Sequence, residues 1–321
     1  MEKILVVLPV EDRHKELLEE NAPDAEFLYC EKASVTKAQV QEATIIIGNV
    51  PPKFLEGTRN LKWIQLNSAG TDGYTVPGVL PEKAVLTNGT GAYGLALSEH
   101  MLGMLLSLMK KLYLYAEDQR EHIWGDRGPV TSIYGSTTLV VGMGDIGSEF
   151  AKRMHALGSR VIGIRRNKTQ KPEYLDGLYQ MDALDEWLAK ADIVAAALPG
   201  TKETYHLFHA DTFRKMKRGA FFLNIGRGSA VDAAALAEAL NTGRLAGAGV
   251  DVTEPEPLPE DHPLWDAKNV LITPHISGQY HLPETFERVV RIAAENLAAF
   301  RDGRELRNEV DFATGYRKLK D

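Results

Sequence analysis

Val141-Gly142-Met143-Gly144-Asp145-Ile146-Gly147 follows a run rich in β-branched residues at 137–141 and opens a stretch with helical spacing of its apolar residues. In that context a G-x-G-x-x-G turn has a specific physical use. The first glycine permits the tight strand-to-helix turn, the second lets the backbone approach a pyrophosphate, and the third allows close packing of helix on strand. The helix N-terminus adds unpaired N–H donors for the anion. The alternative is a glycine turn without ligand, and the strand before, the helix after and a second strand at 161–164 weigh against it. The stretch therefore predicts a dinucleotide-binding unit in which Gly142, Gly144 and Gly147, with Asp145 and Ile146 in the first helical turn, contact the cofactor.

The acidic residue expected near the end of the second strand is missing. Val161-Ile162-Gly163-Ile164 reads as that strand, and Arg165-Arg166-Asn167 stands where an Asp or Glu would take the ribose 2′-hydroxyl of NAD. Two guanidinium groups suit a 2′-phosphate, which they can pair with bidentately. With Lys168 and Lys171 nearby, the reading is NADP in preference to NAD, against the alternative of a solvated basic turn.

A chain of 321 residues buries a large core and usually splits into two domains. Its net charge of −7, with both signs interspersed, offers no basic field for nucleic acid or for an anionic membrane. Met1 leads directly into a strand-like run at 4–8 with neither a signal peptide nor a spanning segment, so the expected location is the cytoplasm. The single cysteine, Cys30, cannot form an internal disulfide and reads as a small, partly buried hydrophobe.

Strand-like runs alternate with helical ones in two series, which predicts an α/β fold of two Rossmann-like units with parallel sheets. Runs at 4–8, 44–48 and 61–65 precede the glycine turn; runs at 138–141, 160–164, 193–197, 220–225, 248–252 and 270–272 form a second series of six strands. Between them, residues 94 to about 123 read as one long helix with Leu95, Met101, Met104, Leu105, Leu108 and Leu112 at near-helical spacing. That helix is expected to serve both as a core element hinging the domains and as a dimer contact, because Leu102 and Leu106 extend its apolar surface beyond one stripe. Residues 283–300 form an amphipathic helix, and a polar tail ends in Lys318-Leu319-Lys320-Asp321.

The chemistry lies just beyond the carboxyl ends of the second series, where an open α/β sheet places ligands. Asn224-Ile225-Gly226-Arg227-Gly228, Asp251-Val252-Thr253-Glu254-Pro255-Glu256-Pro257 and Thr273-Pro274-His275-Ile276-Ser277-Gly278 follow its last three strands. Reducing a 2-oxo acid needs a cation for the carboxylate, a proton donor for the developing alkoxide, and a partner that keeps the donor protonated. Arg227, His275 and Glu256 suit those tasks, since a carboxylate hydrogen-bonded to an imidazole favours the charged ring. Each residue alone has a bland reading as a loop brace, a solvated charge or a satisfied histidine; on consecutive strand ends beside a dinucleotide turn the joint reading is functional. A thiolate zinc site is excluded by the single cysteine, and no H-E-x-x-H spacing occurs.

These residues resemble the D-isomer-specific 2-hydroxyacid dehydrogenases. The resemblance spans nearly the whole chain and includes Asn67-Ser68-Ala69-Gly70-Thr71-Asp72, Leu198-Pro199-Gly200-Thr201 with Glu203-Thr204, the three loops above, and Asn308-Glu309-Val310-Asp311. It implies that His275 is the acid/base, Glu256 its orienting partner and Arg227 the substrate anchor, with Ala69 and Gly70 offering backbone amides to the substrate carboxylate. It further implies that Asp251 holds the nicotinamide carboxamide and that Pro199 and Thr204 touch the cofactor. The expected layout is a discontinuous, flavodoxin-like substrate domain at 1–97 and 283–321 and an NAD(P)-binding Rossmann domain at 98–282, in a homodimer that closes a cleft on its substrate.

Departures from relatives bear on the substrate. Glu256 stands where formate dehydrogenases of the superfamily carry an amide, and Gly48-Asn49-Val50-Pro51-Pro52 replaces the Arg-Ser-x-Thr stretch usual in phosphoglycerate dehydrogenases. A small unphosphorylated 2-oxo acid such as glyoxylate, hydroxypyruvate or pyruvate is the expected substrate, and a D-2-hydroxy acid the product. The competing expectation is a non-catalytic NAD(P)-sensing scaffold like the transcriptional corepressors of this fold, whose extra segments and docking grooves this chain lacks.

Overall fold

The computed structural model describes residues 1–167 and 169–318. Lys168, read above as part of the basic turn, and residues 319–321 of the polar tail lie outside the described residues. The chain divides into two units: Met1–Tyr93 with the chain from Tyr280 on, and Gly94–Gln279.

The first unit begins β1 (Lys3–Val6), α1 (Asp12–Glu20), β2 (Glu26–Tyr29), α2 (Lys37–Glu42), β3 (Ile45–Ile47), α3 (Pro52–Leu55), β4 (Trp63–Gln65), β5 (Val85–Thr87). Its five strands pair in parallel in the order β2-β1-β3-β4-β5, the flavodoxin-like arrangement. Ile45, Ile46 and Ile47 are all buried, as a parallel strand covered on both faces requires. Local chemistry sets helix starts: Thr36 and Gln39 close a reciprocal capping box on α2. β2 and β5 went unread in the sequence because each is short, and β2 has no β-branched residue.

The second unit opens with α4 (Gly94–Met109) and α5 (Leu112–Arg120). The single long helix expected at 94–123 is thus two. Lys111 takes a left-handed conformation (φ 58°), which ends α4, and the redirected chain is tethered by Lys110 Nζ to the Thr131 carbonyl at 2.6 Å and by Tyr113 Oη to Asn269 Oδ1 at 2.5 Å. Apolar periodicity runs through the break and conceals it.

The unit continues β6 (Thr137–Val141), α6 (Asp145–Ala156), β7 (Arg160–Ile164), β8 (Gly177–Tyr179), α7 (Leu184–Leu188), β9 (Ile193–Ala196), α8 (Ala210–Lys215), β10 (Ala220–Asn224), α9 (Ala233–Asn241), β11 (Leu245–Val250) and β12 (Val270–Ile272). The strands pair in parallel in the order β12-β11-β10-β9-β6-β7-β8, seven where six were expected. The extra strand is β8, three residues at the sheet edge with no β-branched side chain. Neighbours β7 and β9 leave β6 in opposite directions, so the sheet has its switch point beside the glycine turn. Phe222 of β10 clusters in the core with Phe208 and Phe213.

The chain then returns to the first unit as α10 (Pro283–Arg301), β13 (Val310–Asp311) and β14 (Tyr316–Arg317). This return completes a buried polar network. Trp63 Nε1 donates to Thr87 Oγ1 at 2.8 Å, Thr87 Oγ1 donates to Gln65 Oε1 at 2.8 Å, and Asn296 of α10 donates to the same Gln65 oxygen at 2.7 Å. Phe300 stacks on Trp63 with ring centroids 5.4 Å apart. Among the described residues no helix is long and apolar enough to cross a membrane.

Candidate active site

One register line crosses the larger sheet. Ile272 pairs with Val250, Val250 with Asn224, Asn224 with Ala196, Ala196 with Val141, and Val141 with Ile164. All these strands are parallel and end at the same level, so the loops that follow rise from one edge. Those loops carry every site residue that the sequence analysis placed in this unit.

The glycine turn has the cradle that a pyrophosphate needs. Gly142 sits at φ +103° with its Cα against the backbone of Ala197, where a Cβ would lie 2.5 Å from the carbonyl oxygen, and a Cβ on Gly147 would strike the Gly142 carbonyl at 2.0 Å. Gly144, the N-cap of α6, has nothing within 4 Å of its Cβ position. Asp145, whose charge would oppose a phosphate, turns its carboxylate to the Gly94 N–H at 3.0 Å, while Ile146 follows it in the first turn.

Arg165 and Arg166 follow β7. Arg165 Nη1 donates to Thr169 Oγ1 at 2.6 Å, and Gln180 Nε2 holds the Arg166 carbonyl at 2.9 Å while the Arg166 side chain is exposed. Nearby Glu203 is held below the usual carboxylate range by its own N–H, by the Thr201 hydroxyl and by the charge on Arg166. After β9, the Thr204 hydroxyl donates to the Pro199 carbonyl at 2.5 Å and accepts from the Thr201 N–H at 2.9 Å, closing the turn that carries both predicted contacts.

The next three loops interlock. Buried Asn224 braces its loop at both ends, accepting from Gly226 N–H at 3.2 Å and donating to the Arg227 carbonyl at 3.0 Å. Arg227 Nη1 donates to the Gly226 carbonyl at 3.0 Å, and its Cγ lies 3.4 Å from the Cβ position of Gly200. A Cβ on Gly228 would fall 1.8 Å from the Thr253 carbonyl oxygen, so this loop bears directly on the acidic one. Glu256 accepts from Thr253 N–H through Oε1 at 3.1 Å and meets His275 Nδ1 through Oε2 at 2.9 Å. The carboxylate is fixed at two points, and the imidazole is oriented with Nε2 left for other chemistry. Both side chains are half exposed.

His275 has φ 51°, uncommon for a side chain of this size, and its N–H donates to the carbonyls of Asp251 at 2.8 Å and Thr273 at 3.0 Å. Asp251 organises the turn. It is buried and accepts through Oδ1 from Thr273 Oγ1 at 2.6 Å and Ile276 N–H at 3.1 Å, and through Oδ2 from Ser277 N–H at 3.2 Å and the Ser277 hydroxyl. Four donors fill the four acceptor positions of a carboxylate. The resemblance assigns the nicotinamide carboxamide to this residue; the Ser277 hydroxyl, on a rotatable side chain, is the donor that would yield.

Ala69 and Gly70 belong to the other unit. Asn88 Nδ2 donates to the Ala69 carbonyl at 2.8 Å and Ser68 Oγ to that of Gly70 at 2.7 Å, while Tyr93 and Tyr280, both with hydroxyl pKa pushed up by burial, hold Asn67. Among the described residues neither the Ala69 nor the Gly70 N–H has an acceptor, so both can donate to an anion.

Sequence reasoning missed Ser277 as a partner of Asp251, and it missed His100, whose Nε2 lies 3.0 Å from Thr273 Oγ1. The available signal for His100 was a polar residue in step with Met104 and Leu108.

Comparison with known proteins gives the family. The family model described as D-isomer specific 2-hydroxyacid dehydrogenase, NAD binding domain, matches residues 102–277. A glyoxylate/hydroxypyruvate reductase B of Shigella dysenteriae is 34% identical over 269 residues, 82% of each chain. The crystal structure of a D-isomer specific 2-hydroxyacid dehydrogenase family protein from Aeromonas salmonicida is 35% identical with a TM-score of 0.85, covering 97% of this chain and 99% of that one. An NADPH-dependent glyoxylate/hydroxypyruvate reductase from Sinorhizobium meliloti, solved with NADP and sulfate, is 25% identical with a TM-score of 0.82, covering 98% of this chain and 100% of that one. The chain belongs to the D-isomer specific 2-hydroxyacid dehydrogenase family and is an oxidoreductase that uses a nicotinamide cofactor.

Proposed function

We propose that the protein reduces a small unphosphorylated 2-oxo acid, with glyoxylate and hydroxypyruvate foremost, to a D-2-hydroxy acid, and that it uses NADPH in preference to NADH. The observation that carries this reading is the 2.9 Å pairing of His275 with Glu256 on loops that share one sheet edge with the glycine turn. The reductases from Shigella dysenteriae and Sinorhizobium meliloti support the substrate class, and the NADP bound to the latter supports the cofactor. The unit that carries the glycine turn takes the cofactor, and the unit that carries Ala69 and Gly70 takes part in holding the substrate.

When bound, a dihydronicotinamide would supply the hydride. Arg227 would hold the substrate carboxylate and draw charge from the adjacent carbonyl, and in the other unit the Ala69 and Gly70 amides would offer donors to a carboxylate. As the carbonyl carbon gains the hydride, its oxygen takes the proton from His275 Nε2; the ring becomes neutral and keeps its Nδ1 proton on Glu256. No other proton need move. In the oxidative direction neutral Nε2 accepts the hydroxyl proton. Pro199 and Thr204 would line the cofactor, with Gly142, Gly144 and Gly147 at its pyrophosphate and Arg165 and Arg166 at the 2′-phosphate.

A homodimer is part of the proposal. Leu112, Ile123, Trp124, Val130 and Tyr134 are large and exposed, and a groove of ≈ 650 Å³ lies among Tyr115, Gln119, Ile123 and Trp124. The deciding experiment follows absorbance of the reduced nicotinamide with purified protein and a panel of 2-oxo acids. Turnover of one or more, cut by roughly 10²-fold in His275→Ala with NADPH binding retained, is the expected result. A protein that binds NADPH and reduces none of them overturns the proposal.

A further inference from the structure

His100 is the polar member of an apolar row on α4. His100, Met104 and Leu108 are four residues apart and share a helix face. Gly247, Gly249 and Asp251, on β11 and just past its end, are two apart and share a strand face. The rows meet member by member. A Cβ on Gly247 would lie 3.2 Å from Leu108 Cδ2, one on Gly249 would lie 3.1 Å from Met104 Cβ, and His100 Nε2 is 3.9 Å from Asp251 Oδ1. Four helical residues advance about 6 Å and two strand residues about 6.6 Å, so the rows keep step over three positions. The two absent Cβ atoms let α4 settle on the sheet closely enough for His100 to reach the strand end.

The hydrogen-bond directions there are determined. Thr273 gives its hydroxyl proton to Asp251 Oδ1, a carboxylate that can only accept, so the Thr273 oxygen accepts from His100 and Nε2 carries the proton. Asp251 in turn gathers the N–H groups of Ile276 and Ser277 and, through its carbonyl, that of His275. We infer that His100 is a positioning residue: through the Thr273 hydroxyl it fixes the Asp251 carboxylate and thereby the left-handed turn that aims the His275 imidazole. The inference rests on the reductase reading for its kinetic test alone.

His100→Leu and Thr273→Val each remove the link. Each should lower kcat for 2-oxo acid reduction about tenfold while changing the KM for NADPH less than about threefold, because the reacting group is misplaced and the phosphate contacts are not. His100→Gln, whose amide nitrogen occupies the position of Nε2, should stay within about threefold of the parent. The double variant should lose no more than the worse single one, since both break the same chain. Amide hydrogen exchange over residues 274–279 supplies a readout independent of turnover, and it should quicken in the Leu and Val variants and not in the Gln variant. Unchanged exchange in both disruptive variants, additive losses, or a Gln variant no better than Leu would each overturn the inference. A parent inactive toward every 2-oxo acid would refute the reductase reading instead, and the exchange measurement would still decide the role of His100.

Discussion

Replacing Arg165 and Arg166 one at a time should cost unequal amounts of NADPH affinity, and the larger loss should come from Arg166. A charge-assisted hydrogen bond to a phosphate contributes about 1.5–3 kcal/mol net. Arg166, exposed and with its carbonyl held by Gln180, can turn its guanidinium to the phosphate without breaking a protein contact. Arg165 must first release Thr169 Oγ1 at 2.6 Å, which offsets about 1 kcal/mol of its gain. Arg166→Ala should therefore weaken NADPH roughly 10- to 100-fold and Arg165→Ala roughly 2- to 30-fold, at about 1.4 kcal/mol per tenfold. The double variant should lose on the order of 10²- to 10³-fold, with NADH little affected. Both losses should shrink at high salt, because exposed charges are screened. Glu203 places a negative charge near Arg166, so Glu203→Gln should strengthen NADPH binding. Titration with each nicotinamide and kcat/KM at two ionic strengths decide the matter. A parent that favours NADH, or an Arg165→Ala variant weaker than Arg166→Ala, would refute the reasoning.

Arg227→Lys keeps the charge but loses the planar fork, so it should raise the KM for 2-oxo acids about tenfold and lower kcat as well; an unchanged KM in Arg227→Ala would show that the carboxylate binds elsewhere. Ser277→Ala vacates an acceptor position on Asp251 Oδ2 and should tighten binding of the reduced nicotinamide about two- to tenfold by fluorescence titration, whereas weaker binding would argue against contact between Asp251 and the carboxamide. Hydrogen bonds from Arg127 hold the Asp118 carboxyl below its usual range, a contribution present above the unfolded pKa of about 3.9 and lost as pH falls through the lower folded value. The Tm deficit of Arg127→Gln should accordingly close toward pH 2, and a constant deficit would count against the pairing. Trp124→Glu should convert a dimer to a monomer in light scattering with the nicotinamide still bound; a dimer that survives the change uses another surface.

The features legible in the sequence are those with a local physical signature. The glycine turn announces itself because only glycine tolerates φ +103° at 142 and the backbone contact at 147. Buried parallel strands read as apolar runs, which is why residues 45–47, 137–141 and 160–164 were visible while Gly177–Tyr179 was not. The end of α4 left no mark, since Lys111 adopts a left-handed conformation that usually selects glycine or asparagine. Arg227, Glu256 and His275 could be picked out because strand order brings three loops to one edge. Thr273 and His100 are 173 residues apart, and their link depends on two glycines on a neighbouring strand, which no local pattern encodes.

The return of the chain through α10 has a consequence for biosynthesis. Translation delivers residues 94–279 before Asn296 and Phe300 exist, so the nascent first unit holds Trp63 without its stacking partner and Gln65 without its donor from α10. The intervening unit can fold on its own contiguous segment while the first waits, half built and apolar, for its last helix to emerge from the ribosome. That interval is where a holdase chaperone would find this polypeptide most open to capture, and where slowed elongation past residue 280 would raise the risk of aggregation.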